Sequence, residues 1–201
     1  LFAIVQAIGW PIWPLILASI AALALIIERG LVLRRAKVAP PDLLPGVLAL
    51  HARKQVGSDA VVRLAQAAPL GRVLAAVLRN AAASREQATQ AAANAGAQVA
   101  HELSRYLSLL GSIGSIAPLL GLLGTVVGMI EIFASQQAGA NPQQLAHGIS
   151  IALYSTAFGI IVAVPAVLMY RHYKSKVEDL LVDMEDQTQR LLDAVFAAKA
   201  A

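Results

Sequence analysis

Hydroxyls and one carboxylate stand where an apolar run has little use for them. Thr125 and Glu131 lie in "IAPLLGLLGTVVGMIEIF", residues 116–133, and Ser155 and Thr156 lie in "GISIALYSTAFGIIVAVPAVLMY", residues 148–170. A hydroxyl both donates and accepts, so in an apolar medium such groups can hold water or pass a proton. A carboxylate at that depth can titrate, and an ionisable group inside a membrane is a functional hypothesis in itself. Covalent chemistry has no such footing. There is no phosphate-binding loop, no Ser/His/Asp arrangement in context and no carboxylate pair in an apolar pocket. The absence of cysteine excludes thiolate ligands and nucleophiles. His51, His101, His147 and His172 are scattered without ligand spacing, so neither a metal nor a cofactor is expected, and no catalytic residue is assigned.

Thr125 and Thr156 each lie eight residues from the outer end of their run, at Phe133 and Gly148. At about 1.5 Å per residue, both sit about 12 Å deep in antiparallel helices. Taken singly, either threonine is explained by a bond to its own helix's carbonyl one turn back. Their matching depth beside glycines favours a narrow polar ring where several copies surround an axis, with Ser155 beside it. Glu131 stands about one turn from the outer end. It fits either a solvated interfacial glutamate or the mouth of a pore.

The elements that must position these groups are helices. Gly111, Gly114, Pro118, Gly121, Thr125 and Gly128 recur at steps of three and four, hence on one face, with Gly124 nearby. Gly148, Ala152, Ser155, Gly159, Ala163 and Ala166 repeat the device. Helices in lipid approach closely through small residues. One tight hairpin would use such faces, and so would a larger set of helix neighbours, toward which their length points. Pro118 and Pro165 remove backbone donors and are expected to bend their helices.

With 58% hydrophobic and 14% charged residues, the 201-residue chain is expected to be an integral membrane protein, since soluble domains average about 25% charged. Residues 1–27 and 107–170 carry a single charge, Glu131, whereas residues 28–106 hold eleven Lys/Arg against five acids. That segregation is explained by topology. Sparse aromatics argue against a nucleic-acid partner. The first run lacks a preceding basic residue and is followed by Arg29, Arg34 and Arg35, as in a retained anchor and unlike a signal peptide. The sequence begins at Leu1 and not at a Met, so an upstream segment is expected to be missing from this numbering.

The fold class expected is an all-α integral membrane protein with three transmembrane helices and long helices extending into a cytoplasmic helical region. The boundaries are a first span at 1–27 with its N-terminus outside, a cytoplasmic helical region at 28–106, a second span at 107–134, a periplasmic turn at 135–147, a third span at 148–170 and a cytoplasmic C-terminal helix at 171–201. Basic residues flanking the spans set this orientation. "APPDLLPG", "VGSDA" and "AAPLG" offer helix starts. With no proline after Pro69, a single long helix is expected to run from there into the second span. In the tail, Val177, Leu180, Leu181, Met184, Leu191, Leu192 and Val195 show helical spacing, expected to pack on the cytoplasmic helices or on a neighbouring subunit.

With "PLLGLLGTVVGMIEIF" followed by "GISIALYSTAFGIIVAVPAVLMYRHY", the sequence resembles the MotA/TolQ/ExbB proton-channel family, closest to its ExbB and TolQ members. Matching positions are Pro118, Gly121, Gly124, Thr125, Gly128, Gly148, Ala152, Leu153, Thr156, Ala157, Gly159, Pro165 and Ala166. The resemblance implies a homo-oligomer, a pentamer, in the bacterial inner membrane, surrounded by membrane lipids. It implies a pore lined by the second and third spans, faced by Thr125 and Thr156, and holding the single helices of two ExbD-like or TolR-like single-span partners. Proton motive force then drives work on a TonB-like or TolA-like protein. The implied function is the proton-channel subunit of an ExbB-ExbD, TonB-energising complex. The alternatives are a TolQ-like subunit of the Tol-Pal envelope system and a non-conducting scaffold. Many members carry a glutamate where this chain has Ile151, so the mid-membrane acid must come from elsewhere. The resemblance supplies an aspartate on the partner's membrane helix.

Overall fold

The computed structural model describes residues 10, 12–53, 57–136 and 142–200. Among them there is no strand, and the elements are α1 (Ile12–Val32), α2 (Arg35–Val38), α3 (Leu43–Ala52), α4 (Ser58–Ala67), α5 (Pro69–Arg79), α6 (Arg85–Ser104), α7 (Leu107–Gln136) and α8 (Pro142–Ala200). Three helical stretches are long and apolar enough to cross a membrane: Ile12–Val32, one within Arg85–Ala134 and one within Gly148–Ala197. The protein is an all-α membrane protein. Residues 1–9, Pro11 and residues 137–141, which carry part of the expected first span and of the expected turn, lie outside the described residues.

The chain forms two compact units. The first draws on Leu1–Glu28 and Tyr106–His172. Its core gathers Leu15 of α1, Ala117 of α7, and Val162 and Ala163 of α8, with Ile113, Leu120 and Phe158 packed against them. Ala117 and Ala163 let the helices approach, and Leu15, Leu120 and Phe158 fill the space beside them. Leu17, Ile20, Leu23 and Ile27 stay exposed on α1. Their spacing makes an outer apolar face of the kind lipid covers. Both α7 and α8 run on through their internal prolines, Pro118 and Pro165.

The second unit draws on Arg29–Arg105 and Tyr173–Ala201. Val38, Leu70, Leu74, Val77 and Val99 are buried together with Leu191, Leu192 and Val195. Val177, Leu180 and Met184 are buried too, so most of the tail's helical stripe packs on this unit, while Leu181 is half-buried. Gly71 is required at the α4–α5 corner, because a Cβ there would run into the Leu64 carbonyl oxygen. Arg29 is 4% exposed, and its Nη1 donates to the Leu103 carbonyl at 3.3 Å. Leu103 belongs to the last turn of α6, whose free carbonyls carry partial negative charge that a guanidinium satisfies.

The long helix expected from Pro69 is broken twice. It ends at Arg79, and α6 restarts behind Ser84, whose side chain accepts from the Gln87 amide at 3.2 Å. That is an N-cap, and it resolves donors that a fresh helix start leaves unpaired. The second break comes at Arg105 and Tyr106, where Tyr106 has a φ of 64°. This left-handed conformation, rare for a bulky residue, ends one helix and lets the next begin at Leu107. The third span and the C-terminal helix, by contrast, are one element, Pro142–Ala200.

Candidate pore site

The seam between α7 and α8 is built on glycine. A Cβ on Gly121 would lie 2.8 Å from the Ser155 carbonyl oxygen and 3.0 Å from Thr156 Cα, and one on Gly159 would lie 2.7 Å from the Ala117 carbonyl oxygen. Those neighbours are backbone and cannot swing aside. Above this point Gly128 faces Ala152, and below it Gly114 faces Val167 and Gly111 faces the Tyr170 ring. The two helices therefore keep one register over the seam's length. Gly148 packs on Ile132 and Gly124 is buried.

This close approach brings the two threonines together. Thr125 Oγ1 lies 2.6 Å from Thr156 Oγ1. Thr125 Oγ1 also reaches the Ala152 carbonyl at 2.9 Å, and Thr156 Oγ1 reaches the Gly121 carbonyl at 3.3 Å. Ala152 stands one turn before Thr156 and Gly121 one turn before Thr125, so each hydroxyl bonds the carbonyl beneath the other. The bond from Thr125 to its own helix, at Gly121, is longer, 3.4 Å. Each hydroxyl carries one proton, so two arrangements satisfy the pair. Either Thr156 donates to Thr125, which donates to Ala152, or Thr125 donates to Thr156, which donates to Gly121. Both make two hydrogen bonds, and passing between them reverses the direction of the chain. Each direction of this two-hydroxyl chain ends on a backbone carbonyl.

The other candidate residues are placed around this pair. Ser155 is buried, 1% exposed, and its carbonyl is the one that Gly121 accommodates. Glu131 is exposed on α7, Pro118 half-buried and Pro165 exposed. The side chain of Ile151 lies outside the described residues. Sequence reasoning offered the carbonyls one turn back, those of Gly121 and Ala152, only to the threonine of the same helix and missed that each serves the opposite threonine. Their position four residues before each threonine was the available signal. It also passed over Ser108, Ser112 and Ser115, exposed along α7 at steps of four and three.

The segment that holds this seam also carries the family signal. The sequence profile of the MotA/TolQ/ExbB proton channel family matches residues 65–186. The chain belongs to this family. Individual relatives agree. The "Putative biopolymer transport protein ExbB-like 3" of Synechocystis sp. is 30% identical over 182 residues, 89% of this chain and 87% of that relative. The "Biopolymer transport protein exbB1" of Vibrio cholerae is 50% identical over 70 residues, 33% of this chain and 31% of the relative. The "Biopolymer transport protein ExbB" of Aquifex aeolicus is 36% identical over 91 residues, 44% of this chain and 62% of the relative. Against the Vibrio and Aquifex relatives the match spans less than two thirds of their length. Membership in the MotA/TolQ/ExbB family makes this a proton-channel-family protein, and both threonines lie inside the matched segment.

Proposed function

We propose that the chain is the proton-channel subunit of an ExbB-type inner-membrane motor, in which several copies surround an axis and the Thr125–Thr156 pairs line the pore. The observation that carries this reading is the crossed hydroxyl pair, held by glycine contacts in the family-matched segment. Cross-helix hydroxyl bonds also serve ordinary helix packing, and what favours the pore is that the pair lies in the segment matched by a proton-channel family. The relatives' names favour an ExbB assignment over a TolQ-like one.

The pore needs a titratable group, because a proton does not cross an apolar core on hydroxyls alone. This subunit offers no acid at the depth of the pair, since Glu131 lies six residues farther along α7. The acid belongs to a single-span partner of the ExbD type, and its proton motive force-driven cycle does work on a TonB-like protein. Five copies match the family resemblance. The charged residues 28–106 and 171–201 face the cytoplasm, as the clustering of Arg29, Arg34, Arg35 and Lys37 and of Arg171, Lys174 and Lys176 supports.

Proton uptake by vesicles holding the complex tests the assignment of the acid. Glu131→Gln should leave uptake unchanged, and neutralising the partner's membrane acid should abolish it. The reverse pattern would move the titrating group to the outer end of α7 and refute this reading.

A further inference from the structure

In the second unit a groove of about 560 Å³ runs between α3 and α4, lined by Gly46, Val47, Leu50, Leu64, Arg53 and Arg63 among others. Gly46 keeps it open, since a Cβ there would meet nothing within 4 Å, and Leu50 is 41% exposed. Both arginines are exposed, and among the described residues neither makes an ion pair. Asp42 lines the other end, about 16 Å along α3 from Arg53. An open apolar floor beside two unpaired cations fits an occupant with an apolar centre and acids around it. Interfaces between proteins have this form, apolar at the centre and charged at the rim.

The same unit carries a surface of the complementary kind. Residues 177–193 of α8 hold six acids against Arg190. Three of these acids are paired, Asp183 with Arg35, Asp186 with Arg190 and Asp193 with Arg85. Glu178, Asp179 and Glu185 are exposed and, among the described residues, unpaired. They stand three and four residues from Val182, hence on its face, and Val182 is 67% exposed. This ridge cannot reach the groove of its own chain. Val73 of α5 lines a cavity with Leu181 of α8, whereas Leu78 of α5 lines the groove. Five residues set these two about 140° apart round α5, so ridge and groove lie on opposite sides of it. They also lie at one height. Gly71 abuts the Leu64 carbonyl of the groove, and Val73, two residues on, shares its cavity with the neighbour of Val182, which puts both within about 10 Å along α5. Two unlike faces that fit each other, on opposite sides and at one height, make a head-to-tail contact of the kind that closes into rings. A groove-to-groove contact would oppose arginine to arginine.

We infer that the α3–α4 groove of one copy receives the acidic ridge around Val182 of the next, so that the second unit sets the order of copies round the axis. The inference rests on the reading that several copies surround an axis. The parent has no cysteine, so Leu50→Cys and Val182→Cys in one chain report on this contact alone when the complex is oxidised in vesicles. A disulfide forms only where the two Cα atoms come within about 7 Å. The double variant should give a ladder of covalent multimers, and either single variant should stay monomeric on a denaturing gel. Reversing the groove, with Arg53→Glu and Arg63→Glu, should slow the ladder more than about tenfold, because like charges then face each other. Adding Glu178→Arg and Asp179→Arg should bring the rate back to within about threefold of the unreversed chain. Dimers from Leu50→Cys alone, no ladder from the double variant in an intact oligomer, or a charge swap that restores nothing would overturn the contact. Native mass of the parent separates the two readings: a monomeric parent refutes the ring itself, whereas a multimeric parent whose double variant gives no ladder refutes this contact alone. Helix content confirms that each variant is folded before rates are compared.

Discussion

Gly121 and Gly159 meet backbone to backbone: a Cβ on Gly121 would lie 3.2 Å from Gly159 Cα, and one on Gly159 would lie 3.1 Å from Gly121 Cα. No rotamer change relieves either contact. Gly121→Ala must part the helices at the level of the threonine pair, and overpacking of this kind costs about 1–3 kcal/mol. Gly96→Ala is the control, because a Cβ there meets nothing within 4 Å. In mid-helix it should be neutral or stabilising by up to about 1 kcal/mol. Thermal unfolding of both variants in one detergent checks the contrast, and equal behaviour would refute backbone contact at the seam.

Arg29 ties the end of α1 to the end of α6 from a buried position, and a hydrogen bond from a charged donor contributes about 1.5–3 kcal/mol. Arg29→Ala should lose stability in that range, and Arg29→Lys should recover only part of it, since an ammonium lacks the guanidinium's fixed fork. Chemical denaturation followed by helix content measures both.

Arg72 and Glu102 form a bidentate pair between α5 and α6, at 2.7 and 2.5 Å. The hydrogen bonds from Arg72 hold the Glu102 carboxyl below its ordinary range. A lowered folded pKa contributes stability that is fully present above the unfolded value of about 4.3 and lost as pH falls through the folded one. Both side chains are solvent-accessible, so the contribution is under about 1 kcal/mol. Glu102→Gln should therefore be slightly less stable than the parent at pH 7, and the gap should close below about pH 4.

The proposed orientation is checked by labelling. Cysteines placed at Ser58 and Ser135 should react with an impermeant reagent from opposite sides of the membrane. Labelling of both from one side would exclude three spans in the orientation given.

How far the sequence reads into this structure depends on the residue. Counting eight residues inward from Phe133 and from Gly148 put Thr125 and Thr156 at one height, and they are in contact. The crossed carbonyl bonds were not legible, because they depend on the rotation of α7 against α8, which glycine contacts set and periodicity does not. The break near Ser84 had its signals in Asn80 and Ser84, but the surrounding alanines read as continuous helix. Nothing in "SRYLS" announces a left-handed tyrosine. Arg29 was read as part of a topological charge cluster, and only packing shows that it is buried.

Proton flux through the threonine pair tests the account most directly. Valine keeps the shape of threonine and removes the hydroxyl, whose net contribution to stability is only about 1 kcal/mol. Thr125→Val and Thr156→Val complexes, reconstituted with the single-span partner, should assemble to the parent's mass and conduct no protons, while Thr125→Ser and Thr156→Ser should conduct. Valine variants that assemble and conduct at the parent's rate would contradict the assignment of the pair to the pore.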